Sequence, residues 1–209
     1  MVEESSSALE FEIIGGALCL DFVNTLEDRP YPEPNERLQR YADLVAWGRR
    51  AGVLTDGQAV ILRGVEARDP DAAATALGGF IKLRESLFRI FAAVVDRSAP
   101  DEADMARLNA ALAEALSPCC LVPKDGGFVI DWRDDSESLD RAIWPVVRSA
   151  ADLLTSDQLD RVCLCNGPTC QWVFLDVSRN RSRRWCDMKT CGNQAKARAY
   201  YRRSRAQPN

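Results

Sequence analysis

Residues 161–205 read RVCLCNGPTCQWVFLDVSRNRSRRWCDMKTCGNQAKARAYYRRSR, and four of their cysteines form two pairs of equal spacing, Cys165 with Cys170 and Cys186 with Cys191, fifteen residues apart. Two short loops that each offer two thiolates, joined by a segment long enough to fold back, are the arithmetic of one tetrahedral zinc site. The chain contains no histidine, so a soft-metal site here draws on thiolates alone. A four-thiolate site is closed; its single zinc ion is structural, and function is expected in what the finger presents. Cys163 leaves an alternative open, because on a strand it faces the same way as Cys165 and could replace it as a ligand.

What the finger presents is positive charge. Residues 161–209 hold eleven cations against Asp176 and Asp187, a net of +9, and residues 1–160 are left with a net of −13. Four thiolates with one zinc bring the finger to about +7, still ample for a polyanion such as nucleic acid.

Upstream, the chain reads as helices. The 209 residues suit one good-sized domain and a small appended one, and 46% hydrophobic content can fill a core. The polar start has no apolar core after it and no uncharged apolar run approaches a membrane span, so a cytoplasmic protein with reduced cysteines is expected. Cys19, Cys119 and Cys120, set among apolar neighbours, read as small buried hydrophobes. Phe11–Ile14 suggests a short strand before the Gly15-Gly16 turn. Residues 17–26 read as a nearly buried helix on which Asp21, Asn24 and Thr25 share one face, a candidate lining for a small ligand. Alternatively, these groups hydrogen-bond neighbouring loops.

After a proline-rich loop, helices are predicted over 37–51, from the Thr55–Gln58 capping box to Asp69-Pro70, over 71–97, and from Pro100-Asp101 to Leu116. Lys124-Asp-Gly-Gly between two apolar runs predicts a β-hairpin. A helix follows over 137–155, with a kink expected at Pro145. The charge changes sign near residue 158, which divides a helical domain, 1–158, from the finger, 159–209.

Within the finger, Cys165-Asn-Gly-Pro-Thr-Cys170 reads as a knuckle whose amides point at sulfur, and Trp172-Val-Phe-Leu as the strand returning from it. Asn193 is a plausible N-cap for a final helix. Knuckle, strand pair and helix suggest a treble clef, and the fold class is predominantly α with a small hairpin and this finger. On the last helix Arg198, Arg202 and Arg205 share a face flanked by Lys196 and Arg203. With Arg181, Arg183 and Arg184 they are the candidate nucleic-acid contacts, because the guanidinium fork matches phosphate. Tyr200 and Tyr201 pack on the finger or stack on bases. Without histidine there is no imidazole base, and a saturated zinc activates nothing, so an enzyme is not expected.

The run Cys165-x4-Cys170, Trp172-Val-Phe-Leu-Asp176, Ser178-Arg-Asn180, Ser182-Arg-Arg-Trp-Cys186, Met188 and Cys191-Gly-Asn193 resembles the CGNR zinc-finger family. The family pattern continues with arginine where this chain has Gln194. Gly15-Gly16, Cys19-Leu-Asp21-Phe-Val-Asn24-Thr25 and Tyr41-Ala-Asp-Leu-Val-Ala-Trp47 are similar to the ABATE domain that accompanies that finger. The resemblance implies a bacterial, stress-linked transcription regulator that binds DNA through the finger, with the helical domain sensing a ligand or mediating assembly. The alternative is a zinc-stabilised module for RNA or an acidic protein.

Overall fold

The shortest α-helix among the described residues is also among the most enclosed. α1 (Leu18–Val23) buries five of its six residues, far too few to hold a helix in water alone. Packing against three other elements supplies the stability. Around it the computed structural model, which describes residues 11–132 and 137–206, arranges seven α-helices and three two-stranded antiparallel ladders. The polar residues 1–10 lie outside the described residues.

α1 is shorter than the predicted 17–26. Leu26–Glu27 (β1) instead leaves it as an extended pair with Asn35–Glu36 (β2), closing the proline-rich loop. Phe11–Ile14 forms no strand. Phe11 is buried in the core, and the chain then turns at Gly15-Gly16. Gly16 takes φ +86°, and a Cβ on it would approach Leu175 Cβ to 3.1 Å, so conformation and space both call for glycine.

Local chemistry sets the remaining helices. α2 (Tyr41–Arg50) starts where the Asp43 carboxylate accepts the Arg40 and Gln39 amides at 2.8 and 3.0 Å. α3 (Asp56–Arg68) opens on the expected box: the Gln58 amide donates to Thr55 Oγ1 at 3.2 Å, and the Thr55 amide to Gln58 Oε1 at 3.0 Å. Asp69 then ends α3 and caps α4 (Pro70–Val95), accepting the Ala72 amide at 2.9 Å, with Pro70 in the first turn, where its missing N–H does no harm. α5 (Glu102–Leu116) follows an Asp101 cap. Phe22 of α1 meets Trp47 of α2 with ring centroids 5.3 Å apart, and Leu83, Leu87, Ile90 and Phe91 of α4 run through the same core.

β3 (Cys119–Lys124) and β4 (Gly127–Trp132) pair across Asp125-Gly126, both at positive φ as a tight hairpin turn demands. The ribbon projects outward. Leu121 and Phe128 are 69% and 72% exposed, and Cys119 and Cys120, expected in the core, are only half-buried; Cys19 is fully buried. The predicted kink at Pro145 is absent. A 3-10 turn over Leu139–Ala142 ends first, and α6 (Trp144–Leu154) begins with Pro145 in its opening turn, where proline removes no helical bond.

One ion network crosses the core. Arg84, in the middle of α4 and 1% exposed, grips Glu36 with two guanidinium nitrogens at 2.6 and 2.7 Å, Glu85 at 2.9 Å and Thr25 Oγ1 at 3.2 Å. Burial pushes the Glu85 carboxyl up, but Arg29, 2.7 Å away, and Arg84 outweigh it and hold it below the usual carboxylate range. This network ties the β1–β2 loop to α4. No described helix is long and apolar enough to cross a membrane.

β5 (Val162–Leu164) and β6 (Val173–Leu175) complete the fold, with Cys163 opposite Phe174. Side chains alternate along a strand, and β6 uses both of its faces. Val173 and Leu175 join the helical core, while Phe174 turns into a second cluster with Cys165, Trp172 and Cys186. One short strand is therefore wall to two cores.

Candidate metal centre and basic face

The four predicted ligands converge. The Sγ atoms of Cys165, Cys170, Cys186 and Cys191 lie within 4.8 Å of one another. A tetrahedron with zinc–sulfur bonds of about 2.3 Å has sulfur–sulfur edges of about 3.8 Å. The Cys170–Cys186 and Cys186–Cys191 separations are 3.6 and 3.7 Å, so the donor set fits one structural zinc. Taken as free thiols, these groups cannot all ionise. Donation from Cys170 and Cys186 holds Cys165 far below the usual thiol range, and the same contact pushes Cys170 and Cys186 up. A divalent cation lets all four lose their protons, so zinc uptake is coupled to proton release.

The backbone prepares the site. Gly167 N–H points at Cys165 Sγ (3.4 Å), Trp172 N–H at Cys170 Sγ (3.5 Å) and Cys186 N–H at Cys165 Sγ (3.3 Å). A Cβ on Gly167 would sit 3.1 Å from Cys191 Sγ and from Cys170 Cβ, so a side chain there would have to push the ligands apart by a few tenths of an ångström. The open choice between Cys163 and Cys165 is decided by position along the chain, since both face the finger's core. Cys163 lies on β5 with its thiol toward the Arg161 carbonyl at 3.6 Å, and Cys165, one step beyond the strand, faces the other three sulfurs.

The second pair sits where a helix begins, as a treble clef requires. Asn193 is not its cap: it is already helical, at φ −67°. The cap is Asp187, which accepts the Thr190 amide at 3.0 Å, and one wide turn over Met188–Gly192 runs straight into α7 (Asn193–Ala206). The acid three residues before Thr190 was the available sequence signal. Asp176, also passed over, accepts the Ser178 and Arg183 amides at 2.8 and 2.9 Å and shapes the loop between the knuckles.

The candidate cations divide. Arg183 is not free for a partner. Its guanidinium donates to Trp185 O at 3.0 Å and to Cys186 O, and lies 4.5 Å from the Phe174 centroid, pinning the second knuckle to the finger's core. Arg181 pairs with Asp160 at the surface. Arg184, Lys196, Arg198 and Arg205 are exposed. Arg202 and Arg203 have their backbone in α7, and their side chains lie outside the described residues. Gln194, at the position of the family's arginine, accepts from Arg198 at 3.1 Å across one helical turn.

The candidate ligand lining is also used internally. The Asn24 side chain pairs like a strand residue with β6: its amide nitrogen donates to Val173 O and its amide oxygen accepts Val173 N–H, both at 2.9 Å. Leu175 N–H donates to Gly15 O at 2.7 Å. Asp21 accepts Gly15 N–H at 2.7 Å, and burial raises its carboxyl to about 6. Thr25 donates to Phe22 O at 2.8 Å. The cavity among them, also lined by Trp47, holds about 10 Å³, room for a water molecule and not for an organic ligand. Buried polar groups here were satisfied by the protein, and the strand that satisfies Asn24 arrives from 149 residues away.

A family model described as "Putative stress-induced transcription regulator", ABATE, matches residues 16–157. The chain belongs to the ABATE family. The CGNR zinc-finger model matches residues 161–204, so this ABATE protein carries the four-cysteine finger in the place where the four sulfurs converge. Among curated proteins nothing matches. In the ABATE chain described here the two family matches meet at a shared wall: Asn24 belongs to one, Val173 and Leu175 to the other, and Gly15 stands just ahead of the first.

Proposed function

We propose that this protein is a zinc-dependent, DNA-binding transcription regulator of the cytoplasm, whose finger and α7 contact DNA while the helical domain senses a ligand or mediates assembly. The observation that carries the reading is the exposed positive charge on α7 and the second knuckle. α7 follows directly on the turn that holds Cys191, a candidate zinc ligand, and carries exposed Lys196, Arg198 and Arg205 out from it, beside exposed Arg184. The helical body is acidic and repels the same partner, so nucleic acid meets the finger alone.

A site for the sensed ligand has support away from Asp21, Asn24 and Thr25. A cleft of about 300 Å³ opens between α4, α5 and α6 over Phe80, Leu83, Ile143 and Trp144, a size and lining suited to a small apolar molecule.

The test is a salt titration of labelled duplex DNA with the zinc-loaded chain. Four exposed cations on phosphates give log K against log salt a slope of about −3 to −4, and Lys196→Ala or Arg205→Ala removes about one unit each. Affinity indifferent to salt, or displacement of the duplex by structured RNA at equal concentration, refutes DNA as the partner.

A further inference from the structure

The finger has a concavity as well as a basic face. A cleft of about 790 Å³ lies between the first knuckle and α7, walled by Asn166 and Pro168 on one side and by Arg198 and Tyr201 on the other, with Arg184 and Trp185 between. Its walls are held by the same metal centre. The knuckle carries Cys165 and Cys170, α7 leads out of Cys191, and Trp185 immediately precedes Cys186. The Asn166 amide also donates to Arg184 O at 2.9 Å, tying the knuckle to the segment that bears both Arg184 and Trp185. Ala195 and Ala199 face the opening from α7 and leave it unfilled.

The chemistry of this lining is more particular than a phosphate-binding surface. Two aromatic side chains stand with two arginines: the Arg184 guanidinium carbon is 5.7 Å from the Trp185 ring centroid, and Tyr201 is 67% exposed, its ring edge-to-face with Tyr200 at 5.9 Å. In an intact duplex both faces of every base are covered by neighbours, so aromatic rings gain nothing by stacking there. An unpaired, unstacked base has a free face for them. Arginines beside the rings meet the phosphates that flank such a base. We propose that this cleft takes one unpaired nucleotide of DNA, its base against Trp185 and Tyr201 and its phosphates on Arg184 and Arg198. The proposal rests on the reading that the finger binds DNA and names what form of DNA it selects.

The experiment compares three labelled probes of one length on the full, zinc-loaded chain at fixed salt: an intact duplex, the same duplex with one extrahelical thymidine, and single-stranded oligo-dT. The bulged duplex and the single strand bind roughly ten-fold or more tighter than the intact duplex, in line with the stacking contribution of a base. Tyr201→Ala, at an exposed position that does not disturb the finger, removes most of this preference. Trp185→Ala removes it too, and Trp185→Phe, which keeps a ring in the packed position, retains it, with zinc content measured for each variant. Lys196→Ala, outside the cleft, weakens all three probes alike. Equal binding of intact and bulged duplex overturns the cleft assignment and leaves DNA binding standing. Binding of none of the three overturns both. Tighter binding of oligo-U RNA than of oligo-dT overturns the assignment to DNA.

Discussion

Replacing Asn24 with alanine should unfasten the finger from the helical body without touching the metal. The side chain supplies the hydrogen-bond partners of both backbone groups of Val173, a fully buried residue of β6. Truncation leaves one N–H and one C=O buried and unpaired, each costing about 1–3 kcal/mol. A water entering the vacated space beside the small existing cavity recovers part of this, so the net loss is about 2–4 kcal/mol. For a chain of this length that is a fall in melting temperature of roughly 5–15 °C. The assay is thermal unfolding followed by circular dichroism with zinc in slight excess, with bound zinc measured in parallel. Zinc stoichiometry should stay at one while the midpoint falls, and hydrogen exchange should accelerate at the Val173 and Leu175 amides. A midpoint shifted by less than about 2 °C would refute the reasoning and reopen the ligand-lining role of Asn24.

Three further outcomes follow from the same structure. Cys163→Ser keeps one tightly held zinc per chain and Cys165→Ser does not; because β6 is also wall to the helical core, chelating the metal lowers the midpoint of the helical signal as well, which metal titration with circular dichroism reads directly. Burial raises the Asp21 carboxyl to about 6, above its unfolded value, so the folded state holds the proton more tightly and stability falls as pH rises through about 4 to 6. Compared with Asp21→Asn at each pH by urea unfolding, the wild type should therefore lose up to about 3 kcal/mol across that window and stay level above it; a wild type that gains stability relative to Asp21→Asn as pH rises from about 4 to 6 contradicts this. Arg84→Ala takes from Glu36 its two-pronged partner beside the core, while Glu85 keeps Arg29, and costs about 2–4 kcal/mol; Arg84→Lys recovers only part because one ammonium cannot make the two-pronged contact with Glu36, as denaturant titration of both variants would measure.

Local chemistry made much of this protein readable. Thr55 with Gln58, Asp69 before Pro70, and Asp125-Gly126 each carry their own hydrogen-bonding or backbone preference, and the elements they begin or turn stand where those preferences put them. Pro145 misled because the same residue kinks a helix interior and starts a helix, and only the 3-10 turn ahead of it distinguishes the two. Counting charge found the basic face but could not separate Arg183, held by carbonyls of its own knuckle, from Arg184, one residue on and exposed.

The sequence alone determined that two cysteine pairs would share an ion, that no imidazole would join them, and that the charge would lie beyond residue 160, because spacing and composition are properties of the chain itself. Only the tertiary structure decided that Cys165 and not Cys163 joins the other three sulfurs, that Asn24 bonds both backbone groups of Val173 on β6, and that a cleft opens beside Trp185. Each of those depends on which side chains and backbone groups folding brings together, and that is fixed by packing between segments far apart along the chain.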